Sequence, residues 1–134
     1  MNSDASLADL TEAFTRRAGA TALLVYRENA VERCSYAELA DNIARLAAGL
    51  VERGLRQGET VLLFAPNSAA WIIAYFAILR AGGLVVPLDD LSSDEELARV
   101  LADCGARRVF TVQAHQATVE SLDTATELDI SLLD

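Results

Sequence analysis

The chain has 134 residues, 52% hydrophobic and 23% charged, and a net charge of −9 from 20 acidic and 11 basic residues. All the basic residues are arginine, so a Schiff-base lysine and a Walker lysine are both excluded. The length suits one domain or part of a larger one, the apolar fraction excludes a disordered chain, and the acidic balance lacks the phosphate-neutralising excess that nucleic-acid binding needs.

Ser6 to Ala18 reads as a helix, with Ser6 as N-cap, Leu7, Leu10 and Phe14 on one face, and Glu12 and Arg16 as an i,i+4 pair. Gly19 ends it. Ala22 to Arg27 and Val31 to Cys34 form a hairpin about Glu28-Asn29. Ser35 and Glu38 stand at capping-box spacing before a helix that runs to about Arg53. Tyr36, Leu39, Ile43, Leu46 and Leu50 build its apolar stripe, Asp41 and Arg45 pair on the wet side, and Gly54 stops it. Thr60 to Ala65 is a buried strand. Ser68 caps the next helix, about Ala69 to Ala81, which has no polar face until Arg80 and therefore needs cover on most sides.

Gly82-Gly83 stops that helix, and Leu84 to Leu88 is a short strand with Pro87 near its exit and Asp89-Asp90 at its carboxyl end. Ser92 and Ser93 precede Glu95 and Glu96 at capping-box spacing, so a helix is expected from about Asp94 to Cys104 with Leu97, Val100 and Leu101 inward and Gly105 beyond its end. Arg108 to Val112 is a strand and Gln113 to Leu122 a weak helix. A polar loop, Asp123–Glu127, leads to a last strand in which Leu128, Ile130 and Leu132 alternate. The organisation is one unit over 1–134: a helix, hairpin and capped helix over 1–58, a βαβαβ core over 59–112, and a terminal helix and strand over 113–134. Strands alternating with helices through short connections predict an α/β fold with a parallel sheet.

The chemistry is sparse. Cys34 and Cys104 lie far apart without a C-x-x-C spacing and read as small core residues of a cytoplasmic protein. His115, the single histidine, reads as a surface helix residue. Met-Asn-Ser-Asp-Ala at the N-terminus shows no signal peptide, and the longest apolar run, Ala69 to Leu79, is too short to cross a bilayer. In open parallel sheets, ligands bind beyond the carboxyl ends of strands. There, Asn67 and the amides of the following helix are a candidate anion site, against the plainer reading of Pro66-Asn67-Ser68 as turn and cap. Asp89 and Asp90 are candidates for a ribose or Mg²⁺, against a solvated turn, and their side chains are expected to diverge. Nothing is expected to converge at Gln113-Ala-His115. No catalytic, cofactor-binding or metal residue is assigned, and alanine at Asn67 or Asp89 is expected to alter stability more than turnover.

Motif order adds what single residues do not. Cys34-Ser-Tyr-Ala-Glu-Leu39, Arg53-Gly-Leu-Arg-Gln-Gly-Glu-Thr-Val61, Ala65-Pro-Asn-Ser68, Leu79-Arg-Ala-Gly-Gly-Leu-Val-Val-Pro-Leu-Asp89 and Cys104-Gly-Ala-Arg-Arg-Val-Phe110 resemble, in order and spacing, segments of the adenylate-forming (AMP-binding) superfamily. That group includes acyl-CoA synthetases, peptide-synthetase adenylation domains and luciferases. Arg80 stands where the family pattern has lysine. The resemblance covers roughly Ala20 to Thr111 and implies the first subdomain of the large N-terminal domain of such a ligase.

For the parent enzyme the resemblance implies ATP, Mg²⁺ and coenzyme A. An acid is activated to acyl-AMP by in-line attack on the α-phosphate, and its acyl group then passes to coenzyme A or to a carrier protein. The family's phosphate loop and catalytic lysines do not occur here, so the 134 residues are expected to be scaffold, inactive alone, with the remaining portion beyond Asp134. The alternatives are a stand-alone interaction or regulatory module of the same fold and an unrelated nucleotide-binding α/β domain. Partners expected are the rest of the ligase and a second copy of the chain, because one side of the Ala69–Ala81 helix is expected to be uncovered.

Overall fold

The structure is a computed structural model that describes residues 6–122 and 127–134. Apart from Glu127, the loop expected over 123–127 lies outside the described residues, as does the N-terminal pentapeptide. The first segment is not one helix. A 3-10 turn, Leu7–Asp9, leads into a short α-helix, α1 (Leu10–Phe14), and a second 3-10 turn, Thr15–Arg17. The Thr15 hydroxyl donates to the Glu12 carbonyl at 2.7 Å, a local bond that competes with the helix ladder. In a 3-10 turn residues four apart no longer share a face, and the Glu12–Arg16 pair is not made among the described residues. Ser6 makes a backbone contact at the start of this segment: its N–H donates to Asp9 Oδ2 at 2.7 Å. The apolar face also differs, because Leu7 and Leu10 are exposed while Thr11 and Phe14 turn inward.

The hairpin pairs β1 (Thr21–Arg27) with β2 (Ala30–Ser35), antiparallel. Next comes α2 (Tyr36–Glu52), opened by a complete capping box: Glu38 N–H donates to Ser35 Oγ at 3.1 Å and Ser35 N–H donates to Glu38 Oε2 at 3.0 Å. Asp41 and Arg45 pair at 2.9 Å. At its end the Gly54 N–H donates to Val51 O and the Leu55 N–H to Leu50 O, with Gly54 at φ +87°. This Schellman closure needs the left-handed conformation that glycine takes at least cost.

The core follows as β3 (Thr60–Phe64), α3 (Ala69–Arg80), β4 (Leu84–Leu88), α4 (Asp94–Cys104), β5 (Arg108–Thr111), α5 (Gln113–Ser121) and β6 (Asp129–Leu132). The four strands form one parallel sheet in the order β4-β3-β5-β6. The C-terminal segment therefore adds a fourth parallel strand beside β5. β3 is covered on both faces, as its unbroken apolar run requires. Val61 and Leu63 join α2 and α3 in one core, and Leu62 and Phe64 join Leu97, Leu101, Val109 and Val119 in the other.

The uncovered side expected for α3 is not found. Only Arg80 of this helix is exposed. Its remaining sides pack against α2 and the N-terminal 3-10 turn, and Phe14 meets Phe76 edge to face at 5.8 Å. Among the described residues no helix is long and apolar enough to cross a membrane.

Candidate functional site

The crossover from β4 to β5 passes over β3, so the strand order reverses between β3 and β5, where ligands of open α/β sheets bind at the carboxyl ends. Here that position is filled by the chain itself. The buried Thr111 hydroxyl donates to Phe64 O at 2.7 Å, and the His115 ring stacks on Phe64 with centroids 4.8 Å apart. His115 Nε2 lies 3.8 Å from Asp90 Oδ2, with both side chains 27% exposed. The expectation that nothing converges at His115 is thus corrected: the first turn of α5 carries the ring back over the end of β3, against the acidic turn after β4. Chain order held no signal for this meeting.

The open space lies to one side, in a cleft of about 310 Å³ lined by Asn67, Trp71, Pro87, Leu88, Asp89 and Asp90 among others. The structure therefore brings together three of the candidate residues, Asn67, Asp89 and Asp90. The two aspartates diverge, since Asp89 Oδ1 accepts from its own turn at Leu91 N–H, 3.0 Å away, while Asp90 faces His115. In the first turn of α3 the Trp71 N–H is taken by Ser68 Oγ at 3.0 Å, which removes one amide from the candidate anion site. No arginine lines the cleft, and two carboxylates there disfavour a triphosphate. ATP therefore does not fit these residues. Among the described residues no three His, Cys, Asp or Glu side chains are grouped to hold a metal ion, and no hydroxyl or thiol is hydrogen-bonded to His115.

At the opposite end of the sheet, around the N-termini of the strands, is a second cleft of about 570 Å³. Its centre is Arg108, a residue that the sequence reading missed. The Arg108 side chain is 15% exposed, and its guanidinium donates to Glu59 Oε2 at 3.3 Å, Asp129 Oδ2 at 2.9 Å and Arg53 O at 2.7 Å. All of these contacts are structural, linking the start of β3, the start of β6 and the end of α2. Cys34 and Cys104 are free and half-buried. Burial first, and the Glu38 carboxylate second, raise the Cys34 thiol above its ordinary 9.0, so it is a poor nucleophile at neutral pH.

Residues 10–133 match the family described as AMP-binding enzyme. Tyrocidine synthase 3 of Brevibacillus parabrevis is 40% identical over 91 residues, 68% of this chain and 1% of that protein. Feruloyl-CoA synthase of an Amycolatopsis species is also 40% identical, over 88 residues, 66% of this chain and 18% of that protein. The fatty acid AMP ligase of Legionella pneumophila superposes on 96% of this chain and 23% of its own, with a TM-score of 0.81 at 19% identity, a likeness of fold alone. The chain thus spans under a fifth of the length of these two curated relatives.

Proposed function

The chain belongs to the AMP-binding enzyme family, and from that membership we propose that it is the first subdomain of an ATP-dependent, AMP-forming acid ligase. The complete enzyme converts a carboxylic acid and ATP to acyl-AMP and pyrophosphate, then transfers the acyl group to coenzyme A. The observation that carries this reading is the family match along nearly the whole chain. The part played by these 134 residues is scaffold. The cleft at one end of the sheet is lined by Asp89 and Asp90 and that at the other by Arg56, Arg107 and Arg108 beside Glu59, Glu127 and Asp129, and neither holds a nucleophile beside a base.

A second acceptor, a carrier protein, is favoured by the equal identity to a peptide synthase. Exchange of labelled pyrophosphate into ATP tests the first half-reaction. Acid-dependent exchange is expected from the complete enzyme and none from the isolated chain. Exchange by the isolated chain overturns the scaffold assignment, and no exchange by the complete enzyme across a panel of aryl and alkyl acids overturns the ligase. Product analysis with coenzyme A against a pantetheinylated carrier then separates the two acceptors.

A further inference from the structure

The N-terminal segment has a weak hold on the rest of the fold. Its helical pieces, Leu7–Asp9, Leu10–Phe14 and Thr15–Arg17, are three, five and three residues long, and an isolated helix of fewer than ~12 residues is marginal in water. Its order therefore depends on what it touches. Thr11 is buried, and Phe14 is half-buried between Tyr36 and Phe76. Beside these two anchors the contact is hollow. A groove of about 480 Å³ lies between Thr11 and Thr15 on this segment and Ala37, Ala40 and Ala44 on α2, because alanine is too short to fill it. At the segment's C-terminal end, Tyr36 N–H donates to Ala20 O at 3.0 Å and Ala37 N–H to Ala18 O at 2.9 Å. These bonds flank Gly19, where an added Cβ would meet nothing within 4 Å, so the backbone there has room to turn. By contrast β3 is bonded on both sides, to β4 and β5, and buried on both faces.

We propose that residues 6–18 are a strap that opens as one unit about Gly19 while the sheet, α2 and α3 stay folded. The fit of Phe14 favours the closed state, and the backbone freedom regained by a dozen residues favours the open one. The balance is local, because α3 keeps its contacts with α2, β3 and β4 when the strap lifts. Opening takes Phe14 off Phe76 and Tyr36 and turns a sealed aromatic cluster into an accessible apolar surface. Phe76 also meets Tyr75 edge to face at 5.5 Å, so the bared ring stays fixed in place on α3. The N-terminal segment is thus a switchable cover, and α3 is the rigid surface that it hides. This inference stands on the packing alone and not on the ligase reading.

Native-state hydrogen exchange of the complete enzyme, followed by mass spectrometry on peptides over 7–17, 60–64 and 69–80 in low urea, tests this. Peptide 7–17 is expected to exchange as one group, at least ~100-fold faster than 60–64 and 69–80. Its rate should also depend less on urea, because opening the strap exposes little surface. Equal rates or equal urea slopes in the three peptides would overturn the proposal. A second measurement uses trypsin. Arg16 and Arg17 are exposed, but cleavage after them needs an extended chain and so tracks the open population. Phe14→Ala is expected to speed that cleavage roughly thirtyfold, and Phe14→Leu, which keeps an apolar wedge, by less. A cleavage rate indifferent to residue 14 would show that Phe14 holds no strap. If Phe14→Ala unfolds the whole enzyme, the exchange slopes of the unaltered enzyme decide between the outcomes.

Discussion

Gly82 and Gly83 stand side by side after α3 and are constrained by different physics. Gly82 has φ +91°, and a Cβ there would run into the Gln57 side-chain amide. That amide is the end of a flexible side chain and can move, so the cost of alanine is mostly the left-handed backbone, about 1–2 kcal/mol. Gly83 has no unusual φ. A Cβ there would lie 3.0 Å from Ile78 Cγ2, 3.2 Å from Glu59 O and 3.3 Å from Ile78 O, and the two backbone atoms cannot yield without moving β3 or α3. Gly83→Ala is therefore expected to cost more, about 2–3 kcal/mol. Urea unfolding of the two variants, with Gln57→Ala added to each, checks the ranking. Gln57→Ala should relieve only the small steric share at Gly82 and nothing at Gly83. The sequence marks both glycines as a helix stop, but only the packing separates their reasons.

At the level of elements, Arg108 does what no neighbouring residue announces. It joins β3, β6 and the end of α2 through one guanidinium. Breaking a fully buried ion pair costs about 3–5 kcal/mol, and Asp129, 49% exposed, recovers part of its loss in water. Arg108→Met is thus expected to destabilise by about 2–3 kcal/mol. The loss should fall unevenly: amide exchange at Asp129 and Ser131 should accelerate more than at Leu62, because β6 is held by β5 on one side only. Equal acceleration at all three would show that Arg108 has no special hold on β6. The three helix caps follow a simpler rule. Ser35, Ser68 and Ser93 each accept from an amide three residues on, and all three are readable from local spacing.

Across the whole molecule, two apolar cores lie on opposite faces of one sheet, and the N-terminal segment closes the first of them. Phe14 is the wedge, with its ring 5.3 Å from that of Tyr36 and 5.8 Å from that of Phe76. Because Phe14 is half-buried, Phe14→Ala should cost about 2 kcal/mol, below the range for a full core phenylalanine. It should also uncover α3 and raise binding of a dye that reports exposed apolar surface. If dye binding stays flat, the cover of α3 comes from α2 alone. The same wedge explains why the apolar girth of α3 is satisfied inside the chain.

The sequence by itself determined the elements from β1 to β6, their caps and stops, the parallel α/β class and the family. Each rests on signals a few residues wide, such as an unbroken run of Val, Leu and Phe in β3, a Ser-to-Glu box before α2, or a glycine after α4. Only the tertiary structure decided which distant groups meet. Arg108 reaches partners 21, 49 and 55 residues away, and Thr111 bonds a carbonyl 47 residues back. His115 crosses to Phe64 and Asp90, and β6 lies beside β5. The broken first helix belongs here too, since its inward face was chosen by contact with α3 over the leucine pattern. Periodicity reports which face of an element is apolar, but a contact across the sheet depends on strand order and register, and no local run of residues encodes these.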